Sequence, residues 1–348
     1  MSRGVAIVGY GYATRTFHAP LIAAVAGLSL RCIISSDAAK VHADWPEVAV
    51  VGNNGDAVRR DDVELIVIAS PNQTHFPLCR EALEAGKDVV VDKPFTVTVA
   101  EADELVALAA RQQRMLAVFH NRRWDSDFLT VRRVLENNML GPVVHFESHY
   151  DRFRPVPKTG WREHDAPGSG VWFDLGSHLG DQALQLFGTP QAVYADFETQ
   201  RPDGRATDYF HVLLRYDRLR VILHGASVVA AESPRFVVHG MQGSFIKYGL
   251  DAQEAALLRR ERPGGEGWGV DPRPATVVTP DSRGGLLASP VPSVPGNYLS
   301  FYEAIAAGQN PVPGEQAANT MRLIELAQKS AEQRRELAWN DPVVPSSC

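Results

Sequence analysis

Cysteine is scarce in this 348-residue chain: Cys32, Cys79 and Cys348 are the only three, too far apart for a C-x-x-C pair. Their spacing argues for a reducing compartment and against a cysteine-based metal site. Long apolar runs are absent too. No stretch approaches the roughly 20 residues a bilayer-spanning helix needs. The short apolar run near Met1 lacks the length and the small-residue cleavage site of a signal peptide, so a cytoplasmic protein is expected. Charge is nearly balanced at a formal −6 with no long block of either sign, which argues against nucleic acid or an anionic membrane as the main partner. No internal repeat or low-complexity tract interrupts the chain. With 45% hydrophobic residues it can bury substantial cores, and its length suits two domains.

The first 120 residues alternate strand and helix signals. The run "GVAIVGYG" reads as a buried parallel strand ending in glycines, and "RTFHAPLIAAVAG" as a helix closed at Gly27. Strands follow at "LSLRCIISS", "VELIVIAS", "KDVVV" and "MLAVF". Between them lie helical stretches at "DAAKVHADW", "HFPLCREALEAG" and "VAEADELVALAARQQ". This alternation predicts an α/β Rossmann domain over residues 1–120, with helices on both faces of a parallel sheet. Ligands in such sheets bind beyond the carboxyl ends of the strands.

The first strand ends in Gly9-Tyr10-Gly11-Tyr12-Ala13-Thr14, a G-x-G-x-x-G pattern with Thr14 in the last position. Gly9 permits the turn, and Gly11 lets the backbone approach a pyrophosphate at the following helix N-terminus. Glycines also make plain strand-to-helix turns, but opening a βαβ unit favours a dinucleotide. Two readings meet at the end of the second strand. Asp37, about 20 residues on, either binds a ribose 2′-hydroxyl, favouring NAD, or caps the next helix. In the second case Ser35 and Ser36 face the ribose and Lys40 adds charge for a 2′-phosphate. NADP is the preferred expectation and NAD the alternative. Pro71 and Asn72 open a loop suited to the cofactor ribose, and His75 is either a cofactor contact or a helix-start residue.

The strand "DVVV" ends in Asp92-Lys93-Pro94, an odd place for a cation. Pro94 biases Lys93 away from helical geometry. Either Lys93 is a surface lysine in a turn, or its ammonium steadies an alkoxide forming as hydride leaves carbon. Alcohol oxidation also needs a proton acceptor. "GSGVWFDLGSHLGDQALQLFG" holds Asp174 and His178 four apart, on one face of a helix, with Asp181 beyond. The pair is either an oriented acid/base or a helix-start acid with a packing histidine. A lone histidine with a carboxylate offers too few ligands for zinc, and no metal is expected.

Together "GYGYATRTFHAPLI", "VVVDKPFTVT", "VFHNRRWDSDF" and "FDLGSHLGDQALQLFG" resemble the Gfo/Idh/MocA oxidoreductase family over essentially the whole chain, especially its NADP-dependent scyllo-inositol dehydrogenase-like branch. The family usually has E-K-P where this chain has Asp92-Lys93-Pro94, which retains the lysine. The resemblance implies a catalytic Lys93, His178 as general acid/base, and Asp174 binding the hydroxyl or orienting the imidazole. It also implies cofactor roles around Gly9 to Thr14, Ser35, Ser36, Asn72 and Lys93.

From Asn121 onward the pattern changes. A helix in "HNRRWDSDFLTVRRVLENNMLGPV" is followed by aromatic, β-branched strands, a Gly/Pro-rich excursion over 262–296 and a C-terminal helix. The expectation for 121–348 is an α+β domain with a large, mainly antiparallel open sheet, which the resemblance makes a dimer or tetramer interface. Substrate contacts are expected from Asn121, Arg123, Tyr150, Arg152, Trp161 and Arg162, each arginine being equally suited to an ion pair. The leading functional expectation is an NAD(P)-dependent dehydrogenase for a cyclic polyol or sugar. The alternatives are a non-catalytic dinucleotide-sensing regulator and an NAD-dependent glycoside hydrolase of the same fold.

Overall fold

The computed structural model describes residues 2–157, 160, 163, 164 and 166–341. The chain divides into two compact units. The first comprises Met1–Asn121, Gln253–Trp268 and Asn297–Met321; the second comprises Arg122–Ala252, Gly269–Gly296 and Arg322–Cys348. The first crossing follows Asn121, and the chain then re-enters the first unit twice, which a single boundary near Asn121 does not include.

In the first unit the elements run β1 (Arg3–Val8), α1 (Ala19–Ala24), β2 (Leu28–Ile34), α2 (Ala38–Asp44), β3 (Ala49–Val51) and α3 (Asn54–Val58). They continue with β4 (Leu65–Ile68), α4 (His75–Glu84), β5 (Asp88–Val91), α5 (Val99–Gln112) and β6 (Leu116–Val118). The strands form one sheet in the order β3-β2-β1-β4-β5-β6, every pair parallel. Reversal of strand direction of growth at β1 makes this the doubly wound Rossmann arrangement, with a ligand crevice at the carboxyl ends of β1 and β4. Strands covered on both faces are apolar throughout, and Val5, Ala6, Ile7, Leu65, Ile66, Val67, Val89 and Val90 are fully buried. Helix α5 starts at a capping box: Thr98 accepts from the Glu101 N–H and the Glu101 carboxylate accepts from the Thr98 N–H.

The second unit opens with α6 (Ser126–Glu136), β7 (Val143–His149), α7 (Ser177–Phe187), β8 (Ala192–Glu198), β9 (Tyr209–Arg215), β10 (Arg220–Ala226), β11 (Phe236–Gly240) and β12 (Gly243–Lys247). The chain then re-enters the first unit at α8 (Gln253–Leu258). It goes back to the second for β13 (Ala275–Pro280) and β14 (Leu286–Val291), and adds α9 (Leu299–Ala306) to the first. Helix α10 (Gly314–Gln333) begins in the first unit, and β15 (Leu337–Ala338) closes the second sheet.

Among the described residues that sheet has nine strands in the order β14-β13-β12-β11-β7-β10-β9-β8-β15. It is antiparallel except for the β7–β10 pair. Alternation sets its faces: along β7, Phe146 and Ser148 are buried while His145, Glu147 and His149 are half-exposed. Phe146 meets Phe187 of α7 at 5.1 Å, so α7 packs on that buried face.

Candidate active site

Gly9 adopts φ +93°, and a Cβ there would come 2.9 Å from the Ala69 carbonyl oxygen; the tight turn after β1 therefore requires glycine. Gly11 differs. A Cβ built on it meets nothing within 4 Å, so its backbone faces open space. Thr14, where a third glycine would stand, is fully buried, and its hydroxyl donates to the Gly9 carbonyl at 2.8 Å. The side chain thus closes the loop it interrupts. The helix that follows passes through a π-helical turn, Thr14–His18, before α1. Such wide turns recur at functional sites.

Gly11, Tyr12, Arg15, Lys40, Asp44 and Trp45 help line a cavity of about 780 Å³, within the size range of small-molecule sites. Glycine backbone open to a cavity that Arg15, Lys40, Arg260 and Arg262 also line fits a dinucleotide pyrophosphate. Asp44 organises the cationic side, accepting from Tyr10 at 2.8 Å, Arg15 at 3.0 Å and Arg260 at 3.0 Å. Burial, with Asp44 adding, pushes the Tyr10 hydroxyl up to about 12. Asp37 caps α2, its carboxylate accepting from the Lys40 N–H at 3.0 Å. Ser35 turns toward Asp37, its hydroxyl accepting from the Asp37 N–H at 3.1 Å, and Ser36 is exposed.

At the end of β4, Pro71 leads a short turn that buries Asn72. His75 is buried, with Nδ1 2.9 Å from the Pro94 carbonyl and Nε2 3.0 Å from that of Ser70. It therefore ties the exits of β4 and β5 together, and burial holds its pKa below the ordinary imidazole value. Lys93, half-buried at the exit of β5, has its N–H on Asp92 Oδ1 at 2.9 Å, and the Lys93–Pro94 peptide is cis. Behind Asp92 lies a pair the motif reading missed. His18 is completely buried, with Nδ1 2.5 Å from the Tyr302 hydroxyl and Nε2 4.0 Å from Asp92. Burial drops His18 to about 4, and Tyr302 is pushed far up by burial and by Asp92. The histidine inside the apolar helical run "RTFHAPLI" was the available signal; Tyr302 carried none.

In the second unit Asp174 lies in another π-helical turn, Trp172–Gly176, which leads into α7 with His178 in its first turn. Trp172 anchors this turn: its Nε1 donates to the Ile324 carbonyl at 3.1 Å, and its ring meets Phe197 and Phe210 at 5.4 and 5.0 Å. A Cβ on Gly176 would come within 2.0 Å of the Trp172 ring, so the indole's position requires glycine there. Arg152 Nη1 stands 3.7 Å from Asp174 Oδ2.

Tyr150 is buried beneath the guanidinium groups of Arg122, Arg152 and Arg235, at 5.2, 4.9 and 5.5 Å from its ring. Arg123 makes a two-pronged buried ion pair with Asp181, at 2.8 and 2.6 Å. Asn121, in the first unit, is buried at the start of a short turn. Trp161 and Arg162 lie outside the described residues.

A doubly wound parallel sheet with an open glycine loop at the exit of β1 defines a Rossmann dinucleotide-binding fold. The chain belongs to the Gfo/Idh/MocA oxidoreductase family. Residues 3–120 match the family's NAD-binding Rossmann fold and residues 132–339 its C-terminal alpha/beta domain. The chain is 52% identical to the oxidoreductase YdgJ of Escherichia coli, over 96% of this chain and 97% of that protein. To the scyllo-inositol 2-dehydrogenase (NADP(+)) IolW of Bacillus subtilis it is 36% identical, over 96% and 95%. Among solved structures, the oxidoreductase YPO2259 of Yersinia pestis superposes with a TM-score of 0.93 at 47% identity, covering 97% of each chain. Among the described residues no helix is long and apolar enough to cross a membrane.

Proposed function

We propose that this oxidoreductase moves hydride between NADP and a secondary hydroxyl of a cyclic polyol or sugar. The observation that carries the reading is the open Gly11 backbone in a cavity with Arg15 and Lys40, in the same sheet as the Lys93 exit. Asp37 caps α2 and Arg15 is paired with Asp44, so Lys40 is the cation we assign to a 2′-phosphate. IolW, similar over nearly the full length, is NADP-linked by its name.

Bound nicotinamide supplies a hydride acceptor in oxidation and a donor in reduction. The rest of the chemistry belongs to side chains. In the oxidative direction His178 takes the hydroxyl proton and Lys93 steadies the developing alkoxide. Asp174 orients the imidazole or holds the hydroxyl, with Arg152 beside it. Arg152 and Tyr150 remain our candidates for contacts to further hydroxyls, whereas Arg123 is held by Asp181.

The test is a panel of inositols and sugars with each cofactor, followed by nicotinamide absorbance. Turnover of a cyclic polyol with a higher kcat/KM for NADP supports the reading, and Lys40→Ala should erode that preference by about tenfold, the loss of one cation–phosphate contact. A clear NAD preference removes the cofactor assignment. Absence of turnover across the panel, with tight cofactor binding, favours a sensor instead.

A further inference from the structure

One face of the second sheet collects imidazoles that the reaction does not use. His145, Glu147 and His149 share the half-exposed face of β7, opposite the face on which α7 packs. Register then brings others alongside: His224 of β10 pairs with His149 across the parallel ladder and with His211 of β9 across the antiparallel one. The His224 ring lies 5.4 Å from that of His149 and 5.6 Å from that of His211.

Past the end of β7 the chain stays in step with β10. The Tyr150 N–H donates to the His224 carbonyl and the Arg152 N–H to that of Ala226, both at 2.9 Å. Alternation therefore returns Asp151 to the face of His149 and sends Arg152 to the other. The Ala226 N–H fixes the Asp151 carboxylate at 3.1 Å.

The result has coordination geometry. Asp151 Oδ1 is 3.4 Å from His224 Nε2, and Asp151 Oδ2 is 3.8 Å from His149 Nδ1; one ligand atom from each of the three residues lies within 4.8 Å of the others. Ligands at about 2.0–2.1 Å from a tetrahedral ion stand about 3.4 Å from one another. The outer partner is present as well. Glu147 Oε2 sits 2.8 Å from His149 Nε2, on the far side of the ring from Asp151, as carboxylates do behind metal-bound histidines.

We propose that His149, Asp151 and His224 form a mononuclear three-ligand site for a divalent transition metal of the zinc class. Two imidazoles and one carboxylate suit zinc, nickel or copper and disfavour the all-oxygen preference of calcium and magnesium. The ion would clip β7 to β10, two strands 75 residues apart at the paired positions 149 and 224. It would do so on the face away from α7 and His178.

The experiment uses tag-free full-length protein stripped with EDTA and titrated with Zn²⁺ against a chromophoric chelator. One equivalent per chain is expected, with a rise in melting temperature, and Co²⁺ in its place should give the intense visible bands of a four-coordinate site. His224→Ala and Asp151→Ala should each weaken Zn²⁺ binding by about 100-fold or more. Glu147→Gln, which reaches the proposed ligands through His149 and keeps the side-chain shape, should weaken it by about 10- to 100-fold. That milder variant carries the test if either alanine variant fails to fold. The proposal is overturned if stripped wild-type protein takes up no stoichiometric Zn²⁺ or Co²⁺. It is equally overturned if the folded variants bind as tightly as wild type.

Discussion

Gly11→Ala separates a ligand cradle from an ordinary turn. Gly11 lies outside the positive-φ region and an added methyl meets no atom within 4 Å, so alanine costs the folded protein nothing sterically. By restricting the unfolded chain it should raise stability by about 0.4–1 kcal/mol. The same methyl occupies the space a pyrophosphate needs. Loss of one or two charge-assisted hydrogen bonds, at about 1.5–3 kcal/mol each, predicts NADPH affinity at least about tenfold weaker. Gly9→Ala is the counterpart. Its φ of +93° and the 2.9 Å approach to the Ala69 carbonyl should cost the fold about 2 kcal/mol or more before any ligand is considered. Calorimetric titration with NADPH, alongside thermal melts, reads both quantities. Wild-type affinity in Gly11→Ala would refute the cradle, and a melting temperature as low as that of Gly9→Ala would show that Gly11 serves the fold.

Lys93→Met and His178→Ala should each lower kcat by about 100-fold or more while leaving the NADPH dissociation constant within a few-fold of wild type; full turnover in either removes that residue from the mechanism. Because burial depresses His18 from 6.5 to about 4, the unfolded chain binds a proton that the folded chain refuses. Stability should therefore fall as pH drops from about 6.5 to about 4, by on the order of 3 kcal/mol from this group, and denaturant titrations of His18→Gln should show a correspondingly shallower slope. Asp181→Ala removes the two-pronged carboxylate from the buried Arg123 guanidinium and should cost about 3–5 kcal/mol in chemical denaturation; a loss below 1 kcal/mol would mean that other acceptors suffice.

The first unit was legible because its strands are short, apolar and separated by capped helices, a pattern written locally in the chain. The short β3 and α3 were not anticipated, having only three and five residues in which to show a period. The returns at α8 and α9 were hidden for another reason: nothing local says which of two cores an apolar helix joins. Periodicity also cannot announce a π-helical turn, so Asp174 and His178 were expected on one regular helix, whereas the structure places Asp174 in the wide turn and His178 in the α-helix after it. The sequence left Asp37 with two readings, and the structure shows the cap. The histidine-bearing sheet face was invisible along the chain because it exists only through the pairing of 149 with 224 and of 224 with 211. Residue types at strand exits gave the rest, since Lys93 and the glycine loop stand out against what folding alone requires.

The twofold return of the chain has a consequence for biosynthesis. Phe119 packs against Phe301 at 5.0 Å and His18 against Tyr302, so the nucleotide-binding half is not finished when its last strand leaves the ribosome. It must wait through some 180 further residues with that aromatic seam unsealed. A fragment ending at residue 121 should therefore be released sticky and prone to chaperone capture, although it contains every strand of its own sheet.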